Sequence, residues 1–219
     1  MRYTILIMSM LLVLFACKTE KEDLKEEFGA NYYPLKVGSS LVYELDTIDF
    51  DEFNQSVDTL KSKIRIRILA TFLDSANEVV HRVEYDNPDK PFALPGNRRV
   101  GAIKSINNKI VEYTDTGRII KVVFPVRNSM SWDVNLYNTF SPLQAKYEDK
   151  GSSFTIDGVT YDQTVRVQLF ELINQVTEIV FREIYAPDIG LIYSENSYIL
   201  RIGGKTSGRK IIHKLISYD

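Results

Sequence analysis

A chain of 219 residues with 27 basic and 29 acidic side chains carries a formal net charge of −2 at neutral pH. Apolar residues make up 44% of it, enough for one sizeable core, and no half is markedly basic, which excludes a nucleic-acid partner. A single cysteine excludes a disulfide within the chain.

The chain opens MRYTILIMSMLLVLFACKTEKED. After Arg2, Ile5 to Ala16 run apolar apart from Ser9. About 12 residues reach roughly 18 Å as a helix, short of a hydrocarbon core of about 30 Å, so the stretch reads as an export signal and not as a membrane span. Leu14-Phe15-Ala16-Cys17 resembles a bacterial lipobox, with Phe15 bulkier than the pattern usually carries. The resemblance implies diacylglycerol on the Cys17 sulfur, cleavage after Ala16, and acylation (a palmitate, for example) of the new amino terminus. Several acyl chains on one residue hold a protein to a membrane far more firmly than one. The competing reading, an ordinary signal peptide with an incidental cysteine, leaves an exported protein with a lone thiol. Removing residues 1–16 takes away only Arg2 among the charged groups, leaving 26 basic against 29 acidic side chains, a net charge near −3.

Residues 17–31 read as a charged tether: between Lys18 and Glu27 only Leu24 is apolar, too little to fold alone. Lys21-Glu22-Asp23 resembles the short lysine-plus-two-acids signal that follows the lipidated cysteine in outer-membrane lipoproteins of Bacteroidota. An acidic spacer facing the periplasm is the alternative, so cell surface and periplasmic face both stay open.

From residue 32 to 219 the pattern predicts a single β domain. Lys63-Ile64-Arg65-Ile66-Arg67-Ile68 alternates strictly, and Val79, His81, Val83 and Tyr85 form one face of the next run. One antiparallel register sets Ile66 opposite Tyr85, Ile68 opposite Val83 and Phe72 opposite Val79, with Arg67 facing Glu84 and Arg65 facing Asp86 behind them. Asp157-Gly158 signals a tight hairpin turn that brings Phe154 to Tyr161, and Thr116-Gly117 a second one that brings Glu112 to Lys121. Further strands are expected near 40–48, 98–106, 164–171, 176–186, 190–202 and 209–218. The best helical candidate is a short stretch over Ser131 to Asn138.

Doubled apolar residues (Val79-Val80, Ile119-Ile120, Val122-Val123, Ile211-Ile212) need cover on both strand faces. The expected fold is therefore all-β, predominantly antiparallel, as a strongly curved sheet, a barrel or a two-layer sandwich. Tyr33-Pro34-Leu35-Lys36 and Phe124-Pro125-Val126-Arg127 echo one another, by duplication or by chance. The stretches YYPLKVGSSLVYEL and YAPDIGLIYSE resemble segments of small Bacteroidota lipoproteins, where the first begins the folded domain and the second turns between strands. No activity comes with the resemblance.

No catalytic residue, cofactor motif or metal set stands out in the sequence. His81 shares an apolar face and reads as structural; His213 sits between Ile212 and Lys214. A metal site would need both histidines to meet over carboxylates. Gly204-Lys205-Thr206 looks like the end of a phosphate loop, but Ile199 stands where the first glycine belongs. Asp46, Asp49, Asp51 and Glu52 cluster without a calcium loop's glycine and terminal glutamate. Trp132 reads as a plug at the end of a β layer or as a binding anchor.

The expectation is thus a non-enzymatic outer-membrane lipoprotein, held through Cys17, acting as a binding or accessory module with an envelope protein as partner. The alternative is a lipocalin-like or lipoprotein-sorting-like carrier of a hydrophobic ligand. Bulky inward residues (Ile64, Ile66, Ile68, Phe72, Val83, Tyr85) favour a packed interior over a cavity.

Overall fold

The computed structural model describes residues 28–89, 98–115 and 117–219. Cys17, the lipobox and Lys21-Glu22-Asp23 lie outside the described residues. A one-turn 3-10 helix, Ala30–Tyr32, precedes β1 (Ser40–Asp51), β2 (Ser56–Leu73), β3 (Val79–Asp86), β4 (Arg98–Ile106), β5 (Lys109–Thr114) and β6 (Gly117–Val123). There follow β7 (Ser131–Asp133), β8 (Gln144–Ile156), β9 (Val159–Ile173), β10 (Thr177–Ala186), β11 (Gly190–Ile202) and β12 (Lys205–Tyr218).

All these strands belong to one sheet in the order β6-β5-β4-β3-β2-β1-β12-β11-β10-β9-β8-β7, and every neighbouring pair is antiparallel. The two ends of the sheet, β6 and β7, are consecutive in the chain. The sheet curls into a nearly closed up-and-down barrel, which resolves the choice between barrel and sandwich, and among the described residues only the β6–β7 ladder is missing.

Side chains span that seam. Tyr147 on β8, only 1% exposed, donates its hydroxyl to the Val123 carbonyl at 2.8 Å and accepts from the Val123 N–H at 2.9 Å. The Trp132 indole donates to the Ile120 carbonyl at 3.1 Å, and the Ile120 N–H reaches the Val134 carbonyl at 2.9 Å. Trp132 is buried against Tyr147, ring centroids 4.7 Å apart, so it plugs the seam. The helix expected over residues 131–138 is instead strand β7 followed by turns, because Asp133 and Asn138 spend their side chains on backbone N–H groups of Asn135 and Phe140 at 2.9 Å each.

The β2–β3 register is the expected one over its first half: Arg65 faces Asp86, Ile66 Tyr85, Arg67 Glu84 and Ile68 Val83. Arg65 meets Asp86 at 2.5 Å, Arg67 pairs with Glu84, and Arg98 on β4 takes the second Glu84 oxygen. Beyond Ile68 the register shifts, a β-bulge at Leu69, so Phe72 faces Val80 and not Val79. The extra residue changes which side chains meet, and Phe72 and Val79 are both about half exposed while Val80 is buried. These ion pairs lie on the outward face, where a membrane-spanning barrel carries an apolar band.

The Asp157-Gly158 hairpin forms as expected, both residues at positive φ (48° and 88°), with Phe154 opposite Tyr161. The β5–β6 hairpin is tighter than expected: Thr114 pairs with Gly117 and Glu112 with Ile119, not Lys121. The turn falls one residue earlier, and each step along a hairpin turn moves the facing partner by two.

Candidate binding cavity

The inward faces of β1 to β6 and β10 to β11 enclose a cavity of about 270 Å³. Its walls are apolar: Leu41, Ile66, Ile68, Val83, Ile103 and Leu191. The alternation that puts Arg65, Arg67 and Glu84 outside puts Ile66, Ile68, Val83 and Tyr85 here. Ile68, Val83 and Tyr85 pack into the buried core as expected, with Ile64 and Ile66 against it, but they also border an open space that a fully packed interior would not leave, and Phe72 is half exposed. A barrel of this many strands is wider than its own side chains fill. The segment before β1 narrows it from one end: Tyr32 donates its hydroxyl to the Gln163 carbonyl at 2.5 Å, and the Tyr33 ring lies 5.9 Å from that of Tyr185.

The lining also holds five tyrosines, Tyr33, Tyr43, Tyr85, Tyr185 and Tyr218, with Ser39 and the charged Lys36, Glu112, Lys121, Asp188 and Asp219. Tyr43 donates to the Leu191 carbonyl at 2.7 Å, Tyr85 to Glu112 at 2.5 Å and Tyr185 to Glu183 at 2.6 Å. Lys121 forms an ion pair with Glu183, both side chains 16% exposed. Burial holds the phenols of Tyr33, Tyr43, Tyr85 and Tyr185 above their ordinary range, and nearby carboxylates, Glu112 or Glu183, add to this. Burial opposes charge on Lys121, but Glu183 and Glu112 outweigh it and hold the ammonium pKa up. The result is a set of neutral phenols around a fixed Lys121–Glu183 pair.

His213 on β12 borders this network. Its Nδ1 lies 2.9 Å from Ser194 Oγ, its ring meets Tyr43 edge-on at 6.2 Å, and burial lowers its pKa. His81 sits opposite Thr71 and Ile103, and its buried Nδ1 has no partner among the described residues. The two histidines are on strands that do not adjoin.

The acidic cluster disperses: Asp46 is buried between Lys61 and Lys214, Asp49 pairs with Arg209, and Asp51 accepts the Phe53 and Asn54 N–H groups. Gly203-Gly204 is the two-residue turn joining β11 to β12, both at positive φ, so Lys205 and Thr206 already belong to a strand. Sequence reasoning missed the cavity floor. Glu112 and Lys121 stood out only as a hairpin pair, Tyr33, Tyr43 and Tyr185 only as members of the two lipoprotein-like stretches, and Glu183 not at all.

The fold and its interior define a nearly closed up-and-down β-barrel with an apolar-walled, tyrosine-rich cavity. No family model matches the sequence, and no curated protein matches it. Among solved structures, a chain of Parabacteroides distasonis ATCC 8503 provisionally described as a lipoprotein aligns with 84% of this chain and 98% of its own, at 12% identity and a TM-score of 0.37. A correspondence that loose transfers neither fold detail nor function.

Proposed function

We propose that the chain is a non-enzymatic binding protein of the outer membrane, anchored through acyl groups on Cys17, whose barrel takes up a small, mainly apolar molecule. The cavity carries this reading. Its volume of about 270 Å³ sits near the lower end of small-molecule pockets, and a dry apolar cavity of about 150 Å³ already holds benzene. The polar groups on its floor are held by one another, an arrangement suited to orienting a ligand.

Ile68, 8% exposed and on the cavity wall, supplies the test. Ile68→Trp projects an indole into the space at an overpacking cost of about 1–3 kcal/mol. In a full-length Cys17→Ser background, a neutral naphthalene dye should brighten with the parent barrel and lose its signal with Ile68→Trp. Dye binding that is absent from the parent, or unchanged by the indole, would refute the cavity reading.

The anchor is tested separately. Cys17→Ser removes the acceptor sulfur, so the protein should lose its detergent-phase partitioning and be retained as an uncleaved or soluble form. Unchanged membrane attachment, with no acyl group in the wild type by mass spectrometry, would sink it.

A second reading, an accessory subunit docked on an envelope protein, draws on exposed apolar residues at the hairpin ends. Phe53 is 86%, Ile173 62% and Ile202 67% exposed. A membrane pull-down that depends on these residues would favour it.

A further inference from the structure

We propose that the barrel stands on the membrane with the mouth of its cavity turned to the lipid, its β2–β3 hairpin and the end of β12 resting in the bilayer interface. The inference rests on the Cys17 anchor proposed above and adds the orientation that the anchored barrel takes. It follows from three separate features that share one end of the barrel.

The first is the point where the N-terminal segment joins the barrel. The Phe28 carbonyl accepts from the Val126 N–H at 3.0 Å, just past β6, and the Asn31 carbonyl accepts from the Asp188 N–H at 2.8 Å, in the β10–β11 turn. The antiparallel order puts that turn at the same end as the start of β1, the β2–β3 turn and the end of β12. The 11 residue steps from Cys17 to Phe28 span at most about 40 Å. β12 has 14 residues and is about 46 Å long, which at a usual strand tilt of about 40° makes the barrel about 35 Å tall. A lipid on Cys17 therefore lies within easy reach of the near end. It reaches the far end only if the segment is drawn out along the whole barrel.

The second feature is the mouth. The exposed residues of the cavity lining, Lys36, Asp188, Tyr218 and Asp219, belong to the segment before β1, the β10–β11 turn and the end of β12 with the residue after it. The cavity therefore opens at the tethered end. The third feature is apolar exposure beside that mouth. β2 pairs with β1 only as far as Arg67, so Leu69 to Leu73 run past the β1 edge in a projecting hairpin. Phe72, Leu73 and Val79 on that hairpin, Val37 before β1, and Ile216 and Tyr218 on β12 are 48% to 62% exposed. The carboxylates at the hairpin turn are held inward: Asp74 and Glu78 both reach Lys104, and Asp74 accepts the Ala76 and Glu78 N–H groups at 2.9 and 3.0 Å. Apolar side chains beside a tyrosine-bearing polar mouth suit a membrane interface, where apolar groups reach about 5–10 Å into the headgroup region. Phe53, Ile173 and Ile202 sit by the β1–β2, β9–β10 and β11–β12 turns at the opposite end, and in this orientation they face away from the bilayer.

Cys17 is the only cysteine, so in the acylated protein an introduced cysteine is the only free thiol. Leu73→Cys, Lys36→Cys and Ile202→Cys change exposed positions and leave the packed interior alone. Each full-length lipidated variant is labelled with a bimane maleimide and placed in phosphatidylcholine vesicles with or without bromine on the upper acyl carbons. Flotation with the vesicles establishes attachment. The dyes at positions 73 and 36 should lose about half of their fluorescence or more to the bromines, as a seat about 5–10 Å into the interface requires. The dye at position 202 should lose none. Quenching at 202 as strong as at 73, or its absence at 73 or at 36 in protein that floats, would overturn the orientation and leave the anchor standing. A dye at 73 that shifts in colour without being quenched would show this end covered by a second protein, which overturns the orientation as well. Protein that does not float overturns the anchor and the orientation together, while the dye-binding test of the cavity, made without the anchor, is unaffected.

Discussion

Replacing Tyr147 by phenylalanine should destabilise the barrel by about 2–5 kcal/mol, although only one oxygen is lost. That oxygen accepts from the Val123 N–H and donates to the Val123 carbonyl, and both backbone groups belong to the edge strand β6, which has no ladder on that side. Val123 is 4% exposed, so water is a poor substitute. Each buried backbone group left without a partner costs about 1–3 kcal/mol. The ring itself stays packed on Trp132, which separates this loss from a cavity effect. Urea unfolding monitored by circular dichroism reads the stability, and hydrogen exchange at Val123 and Ile120 reports where the loss occurs. A change below about 0.5 kcal/mol, the usual range for a surface substitution, would show that the seam does not depend on this hydroxyl.

The second large effect is alkaline. Tyr43, Tyr85, Tyr147 and Tyr185 are all buried, and burial holds each phenol above its ordinary range, with Glu183 acting further on Tyr43 and Tyr185 and Glu112 on Tyr85. Raised folded-state values mean that the native barrel keeps protons which the unfolded chain releases above about pH 10. Stability from these groups is whole below that pH and is lost as the pH rises through and beyond it. The raised ammonium of Lys121 acts in the same direction. Four such tyrosines together contribute a slope of about 5 kcal/mol per pH unit, against a total stability of about 5–15 kcal/mol for a typical domain. Unfolding should therefore be abrupt within about two pH units above 10. The tyrosinate absorbance and the loss of the β-sheet signal should rise together. A gradual tyrosinate titration at ordinary values with the sheet signal intact would contradict the burial that defines the cavity floor. In the Tyr147→Phe variant the slope should be shallower by one tyrosine's share.

Much of the strand arrangement was readable in the linear chain because a β-strand codes for both faces at once. In KIRIRIL and RVEYD, one pairing satisfies the isoleucines and the arginines together, and a slip of one residue would defeat both. Asp157-Gly158 is similarly local, since its backbone conformation is confined to the two turn residues. The misplacements have local causes of another kind. The bulge at Leu69 adds a residue that no alternation pattern announces, and the Thr114–Gly117 turn could equally have closed one position later.

Sequence alone was thus enough for an all-β, antiparallel chain, for the Asp157-Gly158 hairpin and for the first half of the β2–β3 register, because neighbouring residues supply those constraints. The lipobox that motivates the proposed anchor is likewise a linear signal, carried by Leu14 to Cys17. Closure of the barrel and the existence of the cavity were decided only in three dimensions. β1 meets β12 across almost the whole chain, and Tyr147 reaches Val123 from the far side of the seam. Tyr33, Tyr43, Tyr85 and Tyr185 each look like an ordinary core tyrosine in their own segment. What makes them a binding floor is that they converge with Glu112 and Lys121 on a space the barrel is too wide to fill. The curvature of a twelve-stranded sheet is a sum over all its ladders, so no single stretch of sequence encodes the width that leaves that space open.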